Sequence, residues 1–158
     1  MNLRDFEGRS ALLLGKSKDN NGSTAIGPFI RLFDATFTLD DVRRADLTLT
    51  VTGPDGFVLE GASTMREISR DPLDLVAQTT AMHQYPDGFV LFCGTLFAPT
   101  QDRGAPGSGF THRRGDLVRI RSAKLGELLN VVEHSERLAP WTYGVRQLMR
   151  HLARRATS

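Results

Sequence analysis

The 158 residues predict a strand-rich α+β chain, and three observations carry that reading. Asp46-Leu47-Thr48-Leu49-Thr50-Val51-Thr52 alternates polar and apolar residues, the pattern of a strand with one buried face. Gly53-Pro54-Asp55-Gly56 turns the chain and Phe57-Val58-Leu59-Glu60 returns it, so the two runs form a β-hairpin. Further on, Arg70-Asp71-Pro72 opens a helix: Asp71 can cap it, and proline suits the first helical position, where the missing N–H is no loss. Strands and helices do not alternate as βαβ units, which favours α+β over a parallel sheet.

The other elements follow in order. Ala11 to Leu14 is a short apolar run entering a turn at Gly15-Lys16, and Asp19-Asn20-Asn21-Gly22-Ser23 is turn chemistry throughout. Gly27-Pro28-Phe29-Ile30-Arg31-Leu32-Phe33 is expected to be extended, and Asp40 to Ala45 to make one or two helical turns. Met65 to Ser69 reads as a further strand. The helix begun at Asp71 should present Leu73, Leu75, Val76 and Met82 on one face and run to about His83, before Tyr85-Pro86-Asp87-Gly88 breaks it. Phe89 to Cys93 reads as a hydrophobic strand. Residues 99–109 are a Gly/Pro/Asp-rich loop without core residues, of a length that is usually functional or disordered. Leu117 to Arg121 and Leu125 to Val132 form a second antiparallel pair. An amphipathic helix with Val145, Leu148, Met149 and Leu152 on its apolar side ends the chain.

Composition excludes several classes. With 40% hydrophobic residues and a net charge of +2 the chain is not a disordered tail, and a single Cys excludes a disulfide scaffold. No run of 18 apolar residues exists to span a bilayer, and MNLRDFEGRS carries charge where a secretory signal would be apolar. A cytoplasmic chain without a membrane partner is therefore expected. Seventeen of the twenty basic residues are Arg, clustered at 113, 114, 119, 121 and again at 146, 150, 154, 155. No aromatic residue interleaves His112 to Lys124 to stack bases, so no nucleic-acid partner is expected.

Catalytic signals read from residues alone are sparse. Cys93 lies in an apolar run, where a thiol normally packs. His83, His112, His134 and His151 have no ligand spacing, and His134 beside Glu133 and Glu136 reads as a solvated cluster. Asp5 and Glu7 would share one face of a strand, a pairing that could hold a cation but is common by chance. GxSxG, P-loop and GxGxxG motifs are absent.

Longer strings carry a resemblance. Asn2-Leu3-Arg4-Asp5-Phe6-Glu7, Leu14-Gly15-Lys16-Ser17-Lys18-Asp19-Asn20 and Gly27-Pro28 resemble the fumarylacetoacetate hydrolase family, whose signature runs ND-x-S-x-RD, a loop lysine, then GP. Val90 to Thr95, Gly115-Asp116-Leu117-Val118 and Leu125-Gly126 with Leu129-Asn130 resemble later family motifs in the same order. The strings LLLGKSKDNN, AIGPFIRLFD, ISRDPLDLVAQ, HQYPDGFVLFCGT and APGSGFTHRRGD are similar to the 2-keto-3-deoxy-pentonate (arabonate or xylonate) dehydratase branch.

The resemblance implies a mixed β-roll or barrel with peripheral helices, a 2-keto acid substrate, a homodimer, and a divalent ion, Mg2+ or Mn2+. It places Lys16 where developing oxyanion charge is stabilised, Arg4 in the Arg-Asp pair, and Glu7 where an acid/base role is possible. Gly94 and Thr95 match the pair that binds substrate oxygens, and Asn20 a position facing the metal. The family's metal ligands are an aspartate and an E-x-E pair. Here the aspartate would lie one residue before Met1, and no E-x-E occurs anywhere in the chain. Residues 1–158 are accordingly expected to be the C-terminal part of the catalytic domain, from a late start or a truncated gene, and inactive alone. Two alternatives stay open: a C–C bond hydrolase acting on acylpyruvate or fumarylpyruvate, and a non-catalytic subunit or remnant.

Overall fold

The computed structural model describes residues 19–93 and 100–156. The chain divides into two compact units, residues 27–132 and residues 1–26 with 133–158. Each is described by itself.

In the larger unit, Thr38 precedes a short helix, α1 (Leu39–Arg43). The Asp41 carboxylate accepts from the Thr38 amide and hydroxyl, which closes the first turn. Strands β1 (Asp46–Thr52) and β2 (Val58–Thr64) follow as the expected hairpin, in register Thr50 opposite Glu60 and Val51 opposite Leu59. Period two holds: Val51 is fully buried, Leu47 and Leu49 half-buried, and Asp46, Thr48 and Thr52 exposed. Helix α2 (Pro72–Thr80) is capped by Asp71, whose Oδ1 accepts from the Leu73 amide at 2.9 Å. Strands β3 (Leu117–Ser122) and β4 (Gly126–Val131) form the second hairpin.

These strands build one open antiparallel sheet in the order β2-β1-β3-β4. The strand-rich α+β class is as predicted. The β1–β3 pairing, with Val51 opposite Val118, joins hairpins separated by α2 and a long connection. Among the described residues the buried apolar side chains are Phe37, Val51, Leu59 and Met65. The core thus sits around the β1–β2 hairpin, and the Met65 amide bonds the Ala45 carbonyl at 2.8 Å to tie the strand ends.

Two expected strands and one helix end come out differently. Met65–Glu67 is a 3-10 turn, because the Thr64 hydroxyl accepts from the Arg66 amide and curls the chain away from the sheet. Phe89 to Cys93 forms no strand and Cys93 is exposed. Gly27 to Phe33, expected to be extended, joins no ladder, and the chain beyond it makes a single bridge from Asp34 to Phe37. Both runs have β-forming side chains, but a strand needs a neighbouring ladder, and neither run pairs with β2 or β4, the sheet's edges. Helix α2 stops at Thr80 rather than His83; the Thr79 and Thr80 hydroxyls bond back to the Leu75 and Val76 carbonyls, a competition that weakens helix ends.

In the smaller unit, the Asn20 carbonyl accepts from the Ser23 amide at 3.0 Å, giving the expected turn. The Asn21 side-chain amide donates to the Ala139 carbonyl. A 3-10 turn covers Ser135–Arg137, and helix α3 (Val145–Ala156) lies where its apolar spacing placed it. Among the described residues no helix is long and apolar enough to cross a membrane.

The first hairpin turns on Gly56, whose φ is +80° and whose surroundings leave open space where a Cβ would sit. Substitution there meets backbone strain alone. Gly56→Ala should lower the unfolding free energy by about 1 kcal/mol, and Gly56→Asn by less, in urea titrations followed by circular dichroism. Equal stability of all three proteins would contradict this reading.

Candidate functional site

Among the site residues expected from the sequence, Asn20 alone lies within the described residues. It is half-buried in its turn. Arg4, Glu7, Lys16, Gly94 and Thr95 lie outside them, as do Asp5 and the run Ala11 to Leu14. The described residues contain no group of three His, Cys, Asp or Glu side chains that could hold a metal ion. An open groove beside β1 and β2 is lined by Asp46, Leu47, Thr48, Ala62, Ser63, Thr64 and Glu67; none of the expected site residues lines it.

The densest chemistry in the described residues is a buried ionic cluster that sequence reasoning missed. Asp116 immediately precedes β3 and is wholly buried, and Arg103, from the loop before it, has a side chain only 2% exposed. The two pair through both guanidinium nitrogens, Nη1 to Oδ2 at 2.5 Å and Nη2 to Oδ1 at 2.9 Å. Arg103 Nη2 also donates to Asp55 Oδ1 in the first hairpin turn at 2.9 Å. Its guanidinium lies 4.6 Å from the Phe57 ring centre, a cation–π contact strengthened by the absence of water. The second Asp55 oxygen accepts from Arg113 Nη1 at 2.8 Å.

Backbone geometry holds the cluster in place. Asp116 Oδ2 also accepts from the Arg113 amide at 2.8 Å, and the Asp116 carbonyl accepts from the Val132 amide at 2.9 Å. Asp102 accepts from the Gly107 and Gly109 amides, both at 2.7 Å, while the Ser108 hydroxyl donates to the Arg103 carbonyl. The segment from 102 to 109 is therefore a folded loop with its own hydrogen bonds and a buried anchor, where the sequence suggested a loop without core residues. Gly53 completes the fit: a Cβ there would collide with Asp55 Oδ1 and Arg103 Nη2.

The charges are tuned by these contacts. Burial alone pushes the Asp116 carboxyl up, but Arg103 and the Arg113 amide outweigh it and hold it below the usual carboxylate range. Hydrogen bonding from Arg103 lowers Asp55, and pairing with Asp116 raises Arg103. His112 sits with Nδ1 3.7 Å from Asp116 Oδ2. Burial lowers its pKa more than the neighbouring carboxylate raises it. Closed off from solvent and held through both Nη atoms by Asp116 and Asp55, the Arg103 guanidinium is not free to meet a substrate, and its Nε is buried without a partner among the described residues. The cluster is an anchor for the loop that follows Gly94 and Thr95. One signal could have found it: a lone Arg in a loop without apolar residues, beside a Gly-Asp turn.

A family model described as "Fumarylacetoacetate (FAA) hydrolase C-terminal" matches residues 1–133. Neither the curated proteins nor the solved structures contain a match to the chain.

Removing one partner of a buried pair leaves an uncompensated charge. Asp116→Asn should cost about 3–5 kcal/mol in urea unfolding, and replacing both partners (Arg103→Met with Asp116→Leu) should recover most of it. An unchanged midpoint for Asp116→Asn would refute the anchor. The pH dependence has two steps. His112, held low, takes up its proton more readily in the unfolded chain, so stability declines as pH falls below about 6.5. Asp116 and Asp55 are also held low, so their contribution is full above about 3.9 and is lost as pH falls through their native values. His112→Gln should remove the upper step only, as seen in unfolding midpoints across pH.

Proposed function

The chain belongs to the fumarylacetoacetate hydrolase family, and from that premise we propose that it forms the C-terminal part of a Mg2+-dependent 2-keto-3-deoxy sugar acid dehydratase. What supports the branch is the resemblance of long strings, from LLLGKSKDNN to APGSGFTHRRGD, to those of arabonate and xylonate dehydratases. The family's carboxylate metal ligands have no counterpart in these residues, since the sequence contains no E-x-E. The proposed enzyme therefore draws its metal site from polypeptide outside them, and this chain alone does not turn over substrate. Mn2+ is the alternative ion.

In this reading the chain supplies the organic side of the site. Gly94 and Thr95 bind the 2-keto acid's oxygens, a backbone without side-chain obstruction beside a hydroxyl donor. Lys16 is assigned the stabilisation of the negative charge that develops as the C3 proton leaves, and Arg4 the role of the arginine in the family's Arg-Asp motif. Glu7 is assigned the proton transfer. Hydroxide leaves C4 as water, the C3–C4 double bond forms, and migration of that bond with tautomerisation at C5 gives 2,5-dioxopentanoate. Loss of a preorganised donor to such an oxygen typically costs about 10²–10³ in kcat, the size of effect expected for Lys16→Ala. A homodimer is the proposed assembly.

The test is a set of steady-state assays on the protein extended in frame at its amino end by its own gene. Release of 2,5-dioxopentanoate from 2-keto-3-deoxy-arabonate or -xylonate is expected. Cleavage of acylpyruvate or fumarylpyruvate instead would assign the C–C hydrolase reading, and no turnover of either class would favour a non-catalytic subunit. For the 158-residue chain alone, micromolar Mg2+ should leave the melting temperature unchanged. A rise would place a metal site within it and overturn the division of the site proposed here.

A further inference from the structure

We propose that helix α3 seats the chain on an anionic phospholipid surface, lying along it without crossing. The helix begins after residue 133, the last residue matched by the family model, so its design answers to something other than the family's shared domain. Val145, Leu148, Met149, Leu152 and Ala156 recur at helical spacing and form one continuous stripe. Arg146, Arg150 and Arg154, with Gln147, His151 and Arg155, occupy the remaining arc. The helix carries four arginines and no acidic residue. All four large apolar side chains are exposed. Just before the helix, Trp141 is 83% exposed and Tyr143 half exposed, the residue types that settle at a lipid–water boundary.

The occupant must satisfy both faces. A second copy of the helix could cover the apolar stripe, but Arg146 and Arg155 flank that stripe on its two sides. A face-to-face pair would set like charges together with no carboxylate on either helix to offset them. Nucleic acid would engage the arginines and leave the stripe and Trp141 in water. A surface of anionic headgroups over acyl chains takes Arg146, Arg150 and Arg155, the aliphatic stripe and the aromatic flank at once. The expectation of no membrane partner rested on the lack of a spanning segment, which a surface helix does not need.

Trp141 is the chain's single tryptophan and reports directly on the contact. The full chain is mixed with vesicles of phosphatidylglycerol and phosphatidylcholine in equal parts, and with vesicles of phosphatidylcholine alone. Trp141 emission should shift to the blue, and the protein co-sediment, with the anionic vesicles only. Each cation removed should weaken partition about fivefold, so Arg146→Gln with Arg150→Gln should lose about twenty-five-fold. Leu148→Gln with Leu152→Gln should abolish the blue shift. Absence of binding to anionic vesicles, or equal binding to neutral ones, would overturn the proposal. So would binding to single-stranded RNA, without vesicle binding, that the Leu148→Gln, Leu152→Gln protein retains.

Discussion

The pairing of Arg103 with Asp116 is the constraint from which most of the larger unit follows. A guanidinium and a carboxylate withdrawn from water carry a desolvation cost of several kcal/mol per ion, offset only when geometry and further hydrogen bonds are good. Here Asp116 accepts from Arg103 and the Arg113 amide, while Arg103 divides its donors between Asp116 and Asp55. Three pieces of chain far apart in sequence are thereby fixed to one point. They are the first hairpin turn, the loop from 102 to 109, and the start of β3. The sheet order, with β1 between β2 and β3, is compatible with this point because the β1–β2 turn and the entry to β3 meet there.

The elements legible in the sequence are those set by local rules. Alternation fixed the face of β1, a Gly-Pro-Asp-Gly turn fixed the hairpin, and Asp71-Pro72 fixed the start of α2, although β2 runs on to Thr64, past the expected Glu60. Phe89 to Cys93 misled because its side chains favour strands while strand formation depends on a neighbour. Arg103 was missed for the same kind of reason: its partners lie 13 and 48 residues away, and no periodicity announces a contact of that span. Of the candidate site, the motifs gave residue identities, and the described structure reaches Asn20 and the anchored loop that follows Gly94 and Thr95.

Family membership and the anchor bear on each other. The Gly115-Asp116 turn was noticed as a family-like motif, and its aspartate proves to be the buried half of the ion pair. That gives the motif a physical reason: glycine, at φ +87°, permits the tight turn that lets the following carboxylate face inward and accept the Arg113 amide. The proposed chemistry asks the segment carrying Gly94 and Thr95 to hold substrate oxygens in fixed positions. Immobilising the loop that leaves this segment is one way a fold limits the motion of such donors. The exposed helix α3 stands apart from this logic, with its charge and apolar stripe directed outward.

Arg103 holds the 102–109 loop as firmly as the sheet is held. Amide hydrogen exchange measures this residue by residue. The Arg103, Gly107 and Gly109 amides, bonded to the Gly109 carbonyl and the two Asp102 oxygens, should exchange only through global unfolding, with the same opening free energy as Val51. Exchange of these amides orders of magnitude faster than Val51, with the sheet still protected, would show that the loop opens independently and that the ion pair does not anchor it.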